Sequence, residues 1–538
     1  MVDSDKAWFR SWPKGMPRTL TYPDVPLHEI LTKAAREHGE KTAGAFHDRE
    51  ISYAELDKLS DQFAASLASL GVAKGDRIAL FLPNIPQFVI AYFGVLKAGA
   101  VVTAVSPLHR EREVLHQLRD SDAEIIVALD SLYPVVANVR DKTRLRNVVT
   151  TSIQAFAPDI PPPSGVVSFQ ELLTKDLGTP NVNIDAAEDL AALQYTGGTT
   201  GTAKGAMLTH RNLVANAVAF ATWMRGTAKD VFLTALPLFH IYGMTTSMTV
   251  PISVGAAMVL LPRFDTAEAL AAIERRRVTV FCGVPTMYAA LLANPDVGKF
   301  DLTSIRVCIS GASALPPNVQ LRFMDATGGL LAEGYGLTEA SPVTHCSPVD
   351  TTLLRVGSIG LPLPDTDAAI FDLETGARRL RACETGELAV RGPQVMRGYW
   401  QNPEETAQVL RGGWLFTGDI AHMDCDGYFY VTDRKKDLIK YKDYSVYPRE
   451  LEDVLFEHPA VRLCAVVGKP KPATGEIPKA YIVLKEGAQA TAEEIMRFVE
   501  DRVAPYKRIR EVELREELPL SSAGKVLKRV LKEEARTA

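Results

Sequence analysis

In ISYAELDKLSDQFAASLASLG (51–71), Leu56, Leu59, Phe63, Leu67 and Leu70 recur at helical spacing and Gly71 closes the run. Ser52 precedes it with Glu55 three residues on, so the pattern predicts an amphipathic helix opened by a capping box. DRIALFLP (76–83) then reads as a buried strand, and EIIVALD (124–130) and LRNVVTTS (145–152) repeat the theme. Between 250 and 330 come GAAMVLL, the helical AEALAAIERRR, VTVFCGVP and IRVCISGAS. Helices alternating with apolar strands predict an α/β architecture with a mostly parallel sheet. Strands ending in glycine-rich turns put ligands at their carboxyl ends.

After about residue 350 the texture changes. GELAVRGPQVMRGYW and GWLFTGDIAHMDCDGYFYVTDR alternate over short runs broken by Gly and Asp, which predicts antiparallel β structure. The last hundred residues read as a helix (RELEDVLFEHP), two strands (VRLCAVVGKP, KAYIVLKEG) and a second helix (TAEEIMRFVEDRV), an α+β unit of independent size. The charged run TDRKKD (432–437) marks the boundary between the two textures. The apolar stretch 85–105 is interrupted by Pro86, Gln87, Lys97 and Gly99, and reads as a helix followed by a strand rather than a membrane span.

Composition narrows the class. A chain of 538 residues exceeds the roughly 250–300 at which single cores stop growing, so two or more domains are expected. An apolar fraction of 46% with 23% charged residues fits a globular protein, and a net charge of −5 gives no basic excess for nucleic acid. The six cysteines stand singly, without zinc-ligand spacing, and are expected to be buried free thiols in a reducing compartment. The N-terminal MVDSDKAWFR lacks a signal-peptide pattern, so a cytoplasmic location is expected, with peripheral membrane contact left open.

One segment carries candidate chemistry. YTGGTTGTAKG (195–205) holds three inner glycines, four threonines and Lys204, with no acid. Glycines let backbone N–H groups turn inward, hydroxyls donate to phosphate oxygens, and the ammonium adds charge. Gly205 follows the lysine where a Walker loop requires Ser or Thr, and LAALQYT and GAMLT on either side read as strands. The loop therefore joins two strands; a flexible hairpin tip is the plain alternative.

This segment, followed in order by GYGLTEASP (334–342), GELAVRGPQVMRGYW (386–400), GWLFTGDIA (413–421), DRKKDLIK (433–440) and PLSSAGKVLKR (519–529), resembles the adenylate-forming superfamily over about 40–530, with fatty-acyl-CoA and 4-coumarate-type CoA ligases most alike. The resemblance implies a large N-terminal adenylation domain of doubly wound mixed sheets with a β-rich subdomain (1–432). It implies a small mobile C-terminal α+β domain (433–538), in a monomer or homodimer. It also implies an ATP-dependent acid–thiol ligase. A carboxylic acid attacks the α-phosphate of ATP with Mg²⁺, pyrophosphate leaves, and coenzyme A takes the acyl group.

By the same resemblance, Thr196, Gly197, Gly198, Thr199, Thr200, Gly201 and Lys204 grip the phosphates. Lys525 is the catalytic lysine. Thr338 contacts the α-phosphate, Glu339 binds magnesium, and Tyr335 with Gly336 and the small Gly311 and Ala312 flank the adenine. Asp419 accepts the ribose hydroxyls with help from Arg434, and Asp433 is the hinge. Plain readings stand beside these: a surface lysine for Lys525, a turn aspartate for Asp419, and a core histidine for His240. The resemblance puts His240 at the mouth of an apolar acyl site bordered by FHIYGMTTSMTVPISVG, which suits a medium or long fatty acid or an aryl acid. The acceptor-side loop Lys442, Asp443, Tyr444 departs from the relatives' KGY. Either Asp443 is tolerated, or it impairs thioester formation and redirects the adenylate to an amine, making an amide ligase.

Overall fold

The computed structural model describes residues 6–153, 164–174, 178–196, 203–442, 444–471, 474–520 and 526–537. Its contacts divide the chain into two compact units. The larger comprises Ser11–Asp367 and Arg391–Leu415; the smaller comprises Met1–Arg10, Ala368–Val390 and Phe416–Ala538. The β-rich 368–390 thus groups with the C-terminal residues.

The larger unit is built on two sheets. The first runs, in spatial order, Val167–Ser168, Asn147–Thr151, Ile125–Leu129, Arg77–Phe81, Val101–Ala104, Leu190–Thr196 and Lys204–Thr209. All its neighbours are parallel except the last two strands, which form an antiparallel hairpin. The second sheet has nine strands, parallel from Leu330–Gly336 through Val307–Ser310, Val280–Gly283, Val231–Thr234 and Ala257–Leu260 to Thr42–Phe46, with antiparallel strands added at both edges. Buried Leu233, Ile273, Phe281, Tyr288 and Phe323 cluster against this sheet. Each such apolar side chain contributes about 1.5–3 kcal/mol on burial. The mixed α/β class expected from the alternating pattern is what the chain adopts.

The stretch 85–105 forms helix Pro86–Lys97 and strand Val101–Ala104, with Gly99 at φ +72° between them. Lys97 is buried and bonded to Asp57 and Asp61 at 2.6 and 2.7 Å, which explains a charge inside an apolar helix. Among the described residues, no helix is long and apolar enough to cross a membrane. Helix Tyr53–Ser69 begins as expected, with the Glu55 N–H donating to Ser52 Oγ at 3.1 Å. The reciprocal half of the capping box does not form, because the Glu55 carboxylate is taken by Arg49 at 2.8 Å.

In the smaller unit, Asp367–Phe371, Gly386–Arg391, Trp414–Met423 and Phe429–Arg434 form one antiparallel-rich sheet. A second sheet orders Tyr444–Val446, Ile439–Tyr441, Gly475–Leu484 and Val461–Lys471, with Glu511–Leu514 parallel to Gly475–Leu484. Helices Pro448–Phe456 and Ala492–Glu500 cover it through Leu451, Leu455, Ile495 and Val499. The cysteine expectation needs correction. Cys282, Cys308, Cys346 and Cys464 are buried, but Cys383 and Cys425 are exposed and lie side by side, sulfur to sulfur 3.5 Å. A sequence separation of 42 residues hid that proximity.

Candidate functional site

The strands before and after the glycine–threonine run are closed by the pair Thr196–Lys204, so the run spans a hairpin as expected. Gly197, Gly198, Thr199, Thr200 and Gly201 lie outside the described residues, as do Asp443 and Lys525. The hairpin's base is held from several directions. Tyr195 donates its hydroxyl to Asp120 at 2.5 Å, His116 Nε2 lies 2.9 Å from the Ala203 carbonyl, and the Trp400 indole donates to the Asp120 carbonyl at 3.0 Å. On its outer edge the chain at 397–400 pairs with it. The Met207 N–H donates to Gly398 O, the Arg397 N–H to Met207 O, and the Trp400 N–H to Gly205 O.

That edge pairing carries two residues the sequence did not single out. Lys204 Nζ meets Glu405 at 2.6 Å and stands 5.5 Å over the Tyr399 ring. Tyr399 donates its hydroxyl to Glu339 Oε1 at 2.6 Å. Burial, with the Glu339 charge close by, raises the Tyr399 pKa, so the phenol stays a donor. Lys204 and Glu339, 135 positions apart, are thus joined through one phenol ring. No local signal marks Tyr399 or Glu405: GYW and NPEET read as a turn and a capped helix, and only the edge pairing brings them in.

Thr338, Glu339 and Ala340 form a single 3₁₀ turn after strand Leu330–Gly336. Gly336 leaves no room for a side chain, since a Cβ there would stand 2.2 Å from the Pro342 carbonyl. Tyr335 is half-buried opposite His345, ring centroids 5.9 Å apart. The Met396 N–H donates to the Glu339 carbonyl at 2.8 Å, tying this turn to the same 396–400 segment.

His240 caps the short helix Ile241–Met244, accepting the Tyr242 N–H on Nδ1 at 3.2 Å. Tyr242 is buried and donates its hydroxyl to the Ile309 carbonyl at 2.9 Å. Burial drives its pKa well up. Its ring occupies the space beside Gly311, where a Cβ would meet it at 2.9 Å. Ala312 follows at φ +70° and is exposed. Thr245–Thr249 winds as a π-helix, a departure frequent at functional sites, and Thr245 donates to the Ser341 carbonyl at 2.9 Å. The whole stretch from Ile241 to Ile252 is buried, including Met244 and Met248.

In the smaller unit, Asp419 is buried on strand Trp414–Met423, directly opposite Arg434, whose Nε lies 3.2 Å from it. Asp433 is also buried. One carboxylate oxygen accepts the Arg434 N–H at 2.7 Å, and the other accepts the Arg449 N–H at 2.8 Å, at the start of helix Pro448–Phe456. Burial raises its pKa against the pull of Lys528. Lys442 takes a left-handed φ of +52°, and Tyr444 is 52% exposed and stacks on Tyr506 with centroids 4.5 Å apart.

Among the described residues, no group of three or more His, Cys, Asp or Glu side chains forms a metal cage. A single half-buried carboxylate, Glu339, fits Mg²⁺ nonetheless. That ion keeps its waters and is usually held by one or two carboxylates with substrate phosphates.

The AMP-binding enzyme family matches residues 31–400, and the AMP-binding enzyme C-terminal domain matches 450–525. The long-chain-fatty-acid–CoA ligase of Bacillus subtilis (strain 168) is 42% identical over 556 residues, covering 99% of each chain. The 4-coumarate–CoA ligase 1 of Solanum tuberosum is 35% identical over 527 residues, covering 94% of this chain and 93% of its own. The crystal structure of the anthranilate CoA ligase AuaEII in complex with anthranoyl-AMP superposes with a TM-score of 0.87 at 28% identity, over 96% of this chain and 98% of that one.

Proposed function

We propose, from the premise that this chain belongs to the AMP-binding enzyme family, that it is an ATP-dependent acyl-CoA ligase whose acid is a long-chain fatty acid. The end-to-end identity with the Bacillus subtilis ligase carries this reading. The buried, methionine-bearing segment Ile241–Ile252 supports an apolar acid. The amide-forming alternative raised by Asp443 gains no support, since the full-length relatives named above are CoA ligases.

Adenylation brings an anionic carboxylate to an anionic triphosphate, so the protein's work is positioning and charge neutralisation. In this reading the hairpin loop and Lys204 hold the outer phosphates, and Thr338 donates to the α-phosphate. Tyr335, Gly336, Gly311 and Ala312 flank the adenine. Asp419, buried beside Arg434, accepts the two ribose hydroxyls with its two oxygens. Lys525 neutralises the attacking carboxylate and the α-phosphate. Glu339, oriented by Tyr399, would hold Mg²⁺, which when bound supplies charge neutralisation between the phosphates. His240 lies beside the acid's carboxyl end. Residues 433–538 form the functional domain that carries Lys525, with Asp433 at its start as hinge, and coenzyme A approaches over Lys442–Tyr444.

The test is ATP–pyrophosphate exchange across a series of carboxylic acids, followed by product analysis with coenzyme A. Exchange should peak with long-chain acids, and coenzyme A should convert the adenylate to a thioester. Lys525→Ala should lose exchange by 10² or more, in line with removing a transition-state cation. Exchange that does not depend on added acid refutes the assignment.

A further inference from the structure

Outside the adenylation machinery, the smaller unit holds a pair of thiols that no step above uses. Cys383 occupies the turn Arg381–Glu384, in which the Glu384 N–H donates to Arg381 O, and it takes a left-handed φ of +69°. Cys425 occupies the turn after strand Trp414–Met423, in which the Gly427 N–H donates to Asp424 O. The two turns are tied together by the Cys383 N–H, which donates to Met423 O at 2.7 Å. Both residues are exposed, and their sulfurs are 3.5 Å apart. A disulfide bond is about 2.05 Å long, so the two sulfurs must close by about 1.5 Å to form one. A left-handed φ at a non-glycine residue is uncommon and marks a backbone held by its surroundings rather than by preference.

We propose that Cys383 and Cys425 are a reactive dithiol, a modification site that exchanges with low-molecular-weight disulfides and closes into an intramolecular disulfide. The thiolate of one cysteine attacks the disulfide RSSR, forming a mixed disulfide and releasing one RS⁻. The thiolate of the other displaces the second RS⁻. The protein loses two protons and two electrons, and RSSR is reduced to two thiols. Either thiol can make the first attack, since both are exposed and either sulfur can be the donor in their contact. The other four cysteines are buried and cannot follow. Closure would tether the turn at 381–384 to the end of the strand that carries Asp419, six residues before Cys425.

The test is titration of the native full-length protein with an aromatic disulfide reagent that releases a coloured thiolate. The wild type should release two equivalents rapidly, retain none of the reagent, and fall in intact mass by two hydrogens, with a peptide map linking Cys383 to Cys425. Cys383→Ser should release one equivalent and keep one reagent group on Cys425. Oxidised glutathione should likewise close the wild type, leave a glutathionyl group on Cys383→Ser, and be reversed by a dithiol. Two retained reagent groups on the wild type would show that the thiols react separately, and no release would show that they do not react; either overturns the proposal. Because the variant and the wild type are scored by covalent mass, the result is independent of the ligase assignment.

Discussion

Glu405→Gln isolates what the Lys204 ion pair does. In the structure Lys204 is engaged by Glu405 at 2.6 Å, with side chains 21% and 36% exposed. A pair this exposed is worth about 0.2–1 kcal/mol. If Lys204 grips phosphate, it must leave Glu405 when ATP arrives, and that energy is subtracted from nucleotide binding. Glutamine keeps the helix and its cap, because the Asn402 side chain accepts the backbone N–H of residue 405 rather than its carboxylate. Removing the charge should therefore lower the KM for ATP by about 1.4- to 5-fold, at 1.4 kcal/mol per tenfold. Chemistry after binding should be little altered. The assay is acid-dependent pyrophosphate exchange over a range of ATP at low and high salt. Screening weakens exposed pairs, so the advantage of the variant should shrink as salt rises. A raised KM, or a drop in kcat with KM unchanged, would refute the argument. It would mean that Glu405 orients Lys204 toward the nucleotide instead of competing with it.

Other consequences follow from the same geometry. Tyr399→Phe removes the donor to Glu339 and should raise the Mg²⁺ concentration giving half-maximal exchange several-fold, measured with ATP saturating. Gly336→Ala forces a Cβ to 2.2 Å from the Pro342 carbonyl, so exchange activity should collapse while far-UV circular dichroism stays close to wild type. Half-buried His28 and buried His210 and His345 have pKa values lowered by desolvation to about 4, 3 and 3. Each is neutral when folded and takes a proton when unfolded once pH falls below about 6.5. Their stabilisation is thus complete above that pH and declines below it, by up to about 1.4 kcal/mol per histidine per pH unit down to about pH 4. Urea midpoints at pH 7 and pH 5 check this, and a midpoint unchanged between them counts against it.

The strands that frame the candidate site were legible in the chain because their signals are local. The strands on either side of the glycine–threonine run pair as an antiparallel hairpin, and Gly99 breaks the apolar stretch between helix and strand, both as the pattern indicates. Long-range contacts were not legible. Glu55 satisfied half of a capping box, and the other half was lost to Arg49, a residue chosen by strand position rather than by helix spacing. Tyr399 and Glu405 enter only because the 397–400 chain pairs with the outer edge of the hairpin. Cys383 and Cys425 are lone residues in sequence and neighbours only once two turns are bonded together.

The tyrosine at 242 and the glycine at 311 form a lock of two positions. The phenol is bolted to a strand carbonyl, and its ring fills the volume that any larger residue at 311 would need. Neither site can drift alone: enlarging 311 expels the ring, and shrinking 242 opens a void and removes one of the two hydroxyls that the Ile309 carbonyl accepts. Efforts to retune acid preference by diversifying this chain should therefore randomise the two codons together, because single-site libraries would return chiefly unfolded or unchanged clones.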